Sequence, residues 1–352
     1  MTERIRGVLA PVITPFKADL TPDSERFIAH CKWLLSQNCG LAVFGTNSEA
    51  NSLSLDERLN LLDELVAAGI DPARMMPGTG CCSIMETVRL TKQAVGHGCA
   101  GVLMLPPFYY KNVSEGGLYR YFSEVVHRVG DARLKIYLYN IPPVAIVSIT
   151  PKLIERLLAA YPSAIAGMKD SSGDWNTTKT FLDAFSATAG ATHSFDVFVG
   201  SESFLLANMR DGGAGCISAT ANVNPAAIDA LYQKALAAAS ASTSDIEHQP
   251  RKGISEVEGK GAKGSAKRGR VTSEFQTSNL ERQQADLDIV RDVFAQKSWP
   301  SMIATLKQAM AIYRNDPEWA RVRPPLVDLT PEQANTLAEE LKAIGFRWER
   351  KN

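Results

Sequence analysis

Short apolar runs of strand length alternate with longer stretches whose apolar residues recur at helical spacing, from the start of the chain to about residue 240. The runs are Gly7–Thr14, Leu41–Phe44, Arg74–Gly78, Gly101–Leu105, Lys135–Tyr139, Ile165–Lys169, Asp196–Gly200 and Gly215–Ser218. Between and after them the spacing predicts helices over Asp23–Gln37, Ser54–Ala68, Ser83–Val95, Gly116–Val129, Thr150–Ala160, Thr177–Ser186, Ser203–Arg210 and Pro225–Ala239. In the first helix Phe27, Ile28, Cys31, Leu34 and Leu35 share one side. Ser54 with Glu57 three residues on forms a capping box, and Pro151 stands at a first helical turn, where proline is tolerated. Runs that are apolar at successive positions belong to parallel strands covered on both faces. Eight strand–helix repeats in succession predict an α/β fold, the TIM (β/α)8 barrel, over residues 1–240. A doubly wound sheet is the rival, but no Gly-x-Gly-x-x-Gly follows the first strand, which weakens a dinucleotide-binding reading.

The pattern breaks after Ala239. Residues 241–276 are rich in Ser, Gly, Lys, Arg and Glu and poor in apolar residues. Such a stretch buries too little surface to offset the entropy of ordering it, and a disordered inserted loop is expected. Its basic run, Lys260 to Arg270, is diluted by Glu256, Glu258 and Glu274, and reads as a solvated loop rather than a nucleic-acid patch. Helical spacing returns over Leu280–Gln296, Pro300–Tyr313 and Pro331–Ile344. These make a C-terminal helical section, residues 277–352, appended to the barrel.

Charge adds little direction: 38 Lys and Arg balance 38 Asp and Glu. No global field selects nucleic acid or an anionic membrane, and neither is an expected partner. No apolar stretch approaches the roughly 18 residues of a membrane span. No signal-type apolar run follows the charges of Met1 to Gly7. A cytoplasmic location is expected. The six cysteines, Cys31, Cys39, Cys81, Cys82, Cys99 and Cys216, lack metal-ligand spacing. The neighbours Cys81 and Cys82 are poorly placed for a disulfide or a zinc site. They read as reduced, packed thiols, and no metal is expected.

In a barrel of this kind the active site gathers at the C-terminal ends of the strands. There the second strand leads into Gly45-Thr46-Asn47-Ser48-Glu49, a small-residue turn able to offer backbone N–H groups to a carboxylate. The fourth leads into Pro106-Pro107-Phe108-Tyr109-Tyr110, the fifth into Tyr139-Asn140-Ile141-Pro142-Pro143, and the sixth ends in Lys169. A lysine at such a position is either a solvated amine or one held among apolar groups, where desolvation disfavours the ammonium form and frees the nitrogen to attack a carbonyl. An amine nucleophile, a phenol to move protons and donors for a carboxylate together equip a site for imine chemistry on a keto acid. Gly212 to Gly215 before the last strand reads either as an ordinary turn or as a phosphate-binding element.

In order and spacing, several motifs resemble the dihydrodipicolinate synthase / N-acetylneuraminate lyase family of class I, pyruvate-handling aldolases. They are Gly45-Thr46-Asn47-Ser48-Glu49, Pro107-Phe108-Tyr109-Tyr110, Gly117-Leu118-Tyr119, Tyr139-Asn140-Ile141-Pro142, Gly167-Met168-Lys169-Asp170 and Gly213-Ala214-Gly215-Cys216-Ile217-Ser218. The resemblance covers residues 5 to 240. It implies that Lys169 forms a Schiff base with pyruvate or another 2-keto acid and that Tyr139 transfers protons. It implies that Thr46 links Tyr139 to Tyr110, which in the family reaches a neighbouring subunit's site. The backbone of Thr46 and Asn47 would bind the keto-acid carboxylate, and Ile217 would present a main-chain carbonyl near it. The family needs no metal or bound cofactor and commonly assembles as a homo-oligomer, a dimer or a tetramer.

Departures from the family pattern redirect the expected substrate. The synthase proper usually has an arginine five residues after this tyrosine to hold the aldehyde's carboxylate; here the position is Val144. Valine cannot make a bidentate contact with a carboxylate. Asn47 and Ser48 replace a common threonine and glycine, and Asn at this place is similar to family members that cleave 4-hydroxy-2-oxoglutarate. The expected function is a Schiff-base lyase or aldolase acting on 4-hydroxy-2-oxoglutarate or 2-keto-3-deoxy acid type substrates. The alternatives are a 2-keto-3-deoxy sugar acid dehydratase, a 4-hydroxy-tetrahydrodipicolinate synthase in which another residue replaces the arginine, a non-catalytic keto-acid sensor, and a phosphate-binding barrel enzyme using Gly212 to Gly215.

Overall fold

Among the described residues seven parallel strands and one extended segment close into a barrel. In the computed structural model, which describes residues 4–186, 195–247 and 265–348, the strands are β1 (Gly7–Ala10), β2 (Gly40–Leu41), β3 (Val102–Met104), β4 (Ile136–Asn140), β5 (Ile165–Asp170), β6 (Asp196–Val199) and β7 (Gly215–Ile217). Their order is β2-β1-β7-β6-β5-β4-β3. The gap between β2 and β3 is filled by residues 75–79. On one side Met76 N donates to Leu41 O (2.8 Å) and Gly78 N to Val43 O (2.8 Å). On the other, Thr79 N donates to Leu103 O (3.0 Å) and Leu103 N to Pro77 O (2.9 Å). The third expected strand is therefore present as the closing stave, but not as a regular strand, because Pro77 has no N–H to give the ladder. Pro11 marks the end of β1 in the same way, short of the expected Thr14.

The helices are α1 (Ser24–Ser36), α2 (Leu55–Ala67), α3 (Ile84–His97), α4 (Glu115–Val129), α5 (Pro142–Ala145), α6 (Pro151–Ala160), α7 (Trp175–Phe185), α8 (Leu205–Arg210) and α9 (Pro225–Glu247), followed by α10 (Ser265–Phe294), α11 (Met302–Arg314) and α12 (Pro331–Ala343). Side-chain caps start several of them: Asp23, Ser83, Ser114, Thr150 and Asp174 each accept a backbone N–H of the first turn. Ser54 and Glu57 form the expected capping box. Of the 241–276 stretch expected as a disordered insert, residues 248–264 lie outside the described residues. The helical backbone of α9 reaches Glu247 and that of α10 begins at Ser265. Among the described residues no helix is long and apolar enough to cross a membrane.

Strand side chains sort by parity. Leu9, Ala42, Met76, Leu103, Tyr137, Tyr139, Phe198 and Ile217 fill the barrel interior, while Val8, Ala10, Leu41, Val43, Ile136, Leu138, Val197 and Val199 pack outward beneath the helices. β5 breaks the alternation. Its register on β4 pairs Ile136 with Ile165 but Tyr137 with Gly167, so Ala166 is an extra residue, a β-bulge. Ile165 faces out and Ala166 faces in, and after the bulge Met168 faces out. That phase turns Lys169 inward, opposite Tyr139. A regular strand starting from Ile165 would send Lys169 into the helical layer. Gly167 permits the bulge: a Cβ there would meet Tyr137 Cδ1 at 2.9 Å and Asp196 C at 3.0 Å, and the Asp196 carbonyl oxygen more closely still.

The C-terminal helices form a second core with Ile13, Ala219 and Val223 of the barrel, built on Phe294, Trp299, Met310, Trp319 and Leu337. Ion pairs reinforce this seam: Arg323 with Glu57, Arg26 Nε with Asp316 (2.8 Å), and a fully buried Lys307 with Glu49. His30, completely buried, contacts Asn222 Oδ1 at 3.2 Å and lies between the rings of Trp33 and Trp319. Burial holds it neutral, with its pKa pushed down to about 3.

Candidate active site

A cavity of about 230 Å³ opens over the C-terminal ends of the strands. Thr46 and Asn47 line it from the turn after β2, Tyr139 and Ile141 from the end of β4 and just past it, Lys169 to Ser171 and Gly173 from the end of β5 and the turn after it, and Gly200, Ser201 and Phe204 from beyond β6. Ala219 after β7 and two residues of the C-terminal section, Arg291 and Met302, complete it.

Lys169 is 3% exposed. Its Nζ donates to Tyr139 Oη at 3.2 Å and lies 4.3 Å from the centre of that ring. Tyr139 Oη lies 3.2 Å from Thr46 Oγ1. An amine, a phenol and a hydroxyl thus form one chain from a desolvated barrel interior to the small-residue turn. The turn is held from several sides. Ser48 Oγ accepts from Gly45 N at 3.2 Å, Thr14 Oγ1 donates to Ser48 O at 2.7 Å, and Glu49 Oε2 accepts from Arg323 N at 2.9 Å. Glu49 itself adopts the left-handed region, φ 54°. Its buried partner Lys307 has a pKa lowered to about 8 by burial, against the pull of Glu49. The N–H groups of Thr46 and Asn47 have no acceptor among the described residues.

The ends of β4 and β5 are locked together. Asn140 Nδ2 donates to Asp170 Oδ1 (2.7 Å), and Asn140 Oδ1 accepts from Ile149 N (3.0 Å). Asp170 also accepts from Thr178 Oγ1 (2.6 Å) and Ser172 Oγ (2.7 Å), so both its oxygens are taken. Asp170 is a fastener beside the lysine, not a free base.

Of the residues expected from sequence, Lys169, Tyr139, Thr46 and Asn47 meet in this cavity. Ile217 lies in the barrel interior on β7 but does not line the cavity. Tyr110 is 73% exposed and touches Tyr109 edge-on, with no bond to Thr46 within this chain. Val144, on the short helix α5, is 61% exposed and outside the lining. The phosphate reading of Gly212 to Gly215 fails on position. These glycines lead into β7, at the barrel end opposite the cavity, and are used for close packing against Asn208 and the Gly7 backbone. Among the described residues no cluster of His, Cys, Asp and Glu is arranged to hold a metal ion.

Arg291 is an addition that the sequence pattern does not announce. Gln284 and Arg291 stand seven residues apart on α10 and so share a face. Both grip Glu202: Gln284 Nε2 donates to its carbonyl (3.0 Å) and Arg291 Nη1 to its Oε2 (2.8 Å).

The model of the dihydrodipicolinate synthetase family matches residues 4–257. An uncharacterised DapA-like lyase of Chloroflexus aurantiacus is 33% identical over 235 residues, 65% of this chain and 75% of that protein. The 4-hydroxy-tetrahydrodipicolinate synthase of Thermus thermophilus is 36% identical over 233 residues, 66% of this chain and 74% of that one. Among solved structures, dihydrodipicolinate synthase from Agrobacterium tumefaciens superposes with a TM-score of 0.74 at 29% identity, covering 97% of this chain and 100% of that one. A variant of Sulfolobus solfataricus 2-keto-3-deoxygluconate aldolase shares the fold, with a TM-score of 0.74 at 19% identity and 96% of each chain covered. The chain belongs to the dihydrodipicolinate synthetase family of lyases and aldolases.

Proposed function

We propose that the protein is a Schiff-base aldolase that cleaves or forms a carbon–carbon bond of a 2-keto acid, with pyruvate as one product or reactant. The observation that carries this reading is the buried chain Lys169 Nζ, Tyr139 Oη, Thr46 Oγ1, with 3.2 Å at each link. Lys169 adds to the C2 carbonyl, water leaves, and an imine remains. Tyr139 takes the proton of the 4-hydroxyl as the C3–C4 bond breaks, the electron pair moves into the imine, and an aldehyde departs. Protonation at C3 and hydrolysis release pyruvate and restore the amine. Thr46 orients the phenol, and the free N–H groups of Thr46 and Asn47 hold the keto-acid carboxylate. The route requires no metal and no bound cofactor. In the same reading the enzyme is cytoplasmic and homo-oligomeric, with the exposed Tyr110 reaching a second copy.

A second reading, 4-hydroxy-tetrahydrodipicolinate synthase, is favoured by the names of several relatives. The absence of an arginine at position 144 speaks against it. A substrate panel separates the two. Pyruvate release from 4-hydroxy-2-oxoglutarate or a 2-keto-3-deoxy acid, without condensation of pyruvate and aspartate semialdehyde, is the expected result. Condensation alone would make the protein a synthase. Keto-acid binding without turnover of anything in the panel would make it a sensor.

A further inference from the structure

We propose that Arg291 clamps a second carboxylate, so that the substrates of this site are dicarboxylic 2-keto acids. The inference rests on the imine reading of Lys169 and adds the identity of the substrate's far end.

Among the described residues the cavity is lined by two cations, Lys169 and Arg291, and one carboxylate, Asp170. Asp170 is consumed by Asn140, Ser172 and Thr178, so among the described residues no acidic group is left to meet a ligand there. Lys169 is assigned to the carbonyl and the Thr46–Asn47 turn to the first carboxylate. Arg291 is the unassigned charge.

Its guanidinium is fixed along one side. Nη1 donates to Glu202 Oε2 at 2.8 Å and to Ser218 Oγ at 3.3 Å. Glu202, 1% exposed, also accepts the hydroxyls of Ser218 and Thr220, and does not line the cavity itself. Nε and Nη2 have no acceptor among the described residues. Those two donors share an edge, the geometry that takes both oxygens of a carboxylate. Glu202 thus holds the arginine still on the cavity wall and leaves its other edge uncommitted for a ligand, which reduces the ordering cost of binding. The clamp comes from α10 of the C-terminal section, not from α5, where Val144 lies exposed.

Imine trapping tests this without requiring turnover. Borohydride-reduced adducts at Lys169 are titrated with 2-oxoglutarate and with 2-oxopentanoate, five-carbon keto acids that differ in the second carboxylate. Removing Arg291 alone would strand the buried Glu202 charge. The variants are therefore Arg291→Lys and the pair Arg291→Met with Glu202→Gln, which removes both charges together. The wild type is expected to saturate at lower 2-oxoglutarate than 2-oxopentanoate. The double variant should need roughly tenfold to a hundredfold more 2-oxoglutarate, with 2-oxopentanoate little changed, and Arg291→Lys should fall between. Equal losses for both acids would mean that Arg291 only fastens α10, and an unchanged ratio would also overturn the proposal. Absence of any pyruvate adduct on wild-type Lys169 would instead sink the imine reading beneath it.

Discussion

Replacing Gly167 with alanine tests the bulge that turns the lysine inward. The new Cβ would stand 2.9 Å from Tyr137 Cδ1 and 3.0 Å from Asp196 C, and nearer still to the Asp196 oxygen. Ordinary contact requires about half an ångström more from the Tyr137 ring and about an ångström more from the Asp196 carbonyl oxygen. Neither neighbour can yield easily. Tyr137 is completely buried, its ring sits edge-on to Phe198 at 5.8 Å, and its hydroxyl reaches Asp196 Oδ2 at 3.4 Å. Asp196 opens β6 and is bound by Arg4 and Arg6. Overpacking of this kind costs about 1–3 kcal/mol, which for a chain of this size lowers Tm by roughly 1–4 °C. Lys169 follows two residues later, and displacing it from Tyr139 should slow turnover by roughly a hundredfold. Gly96 is the control. It is exposed, lies within α3, and has open space where a methyl group would be added, so Gly96→Ala should stabilise by about 1 kcal/mol and leave turnover alone. Calorimetric melts and steady-state rates on the two variants decide the matter. If Gly167→Ala melts with the wild type and turns over normally, the bulge is not what aims Lys169.

Two further changes probe the site and its support. Tyr139→Phe removes the hydroxyl shared by Lys169 and Thr46, and should lower kcat by roughly 10²–10⁴ while keto-acid binding changes little. Equal losses in rate and binding would reduce Tyr139 to a wall of the cavity. His30 makes the junction of barrel and appendage sensitive to acid. The unfolded chain takes up its proton near pH 6.5, whereas the folded chain resists until about 3. Stability from this group is complete above pH 6.5 and declines by about 1.4 kcal/mol per unit below it. Between pH 7 and 5, urea unfolding of the wild type should lose roughly 2 kcal/mol more than His30→Gln; identical slopes would refute the assignment.

The barrel is legible in sequence because its strands are covered on both faces, and a run such as Tyr137 to Tyr139 is apolar inside and out. The stave at residues 75–79 stands where the apolar pattern puts a strand, but that pattern does not register the donor missing at Pro77. The helix α5 is hidden because Pro142-Pro143 reads as a turn, although proline is also at home in a first helical turn. Gly212 to Gly215 shows a different limit: glycines that admit a ligand and glycines that admit a neighbouring backbone look alike in sequence. The lysine's position at a strand end is visible, but its inward direction depends on one extra residue, Ala166, which only pairing reveals. Arg291 has no local signal. Its place in the cavity arises when α10 docks on Glu202, and only its seven-residue spacing from Gln284 hints that the two share a face.

The central claim is that Lys169 forms an imine. Incubating the protein with pyruvate, reducing with borohydride and mapping the added mass by peptide mass spectrometry tests it directly. One reduced pyruvate adduct is expected, on Lys169, and none in Lys169→Ala. An unmodified Lys169, or an adduct confined to another lysine, would contradict the claim.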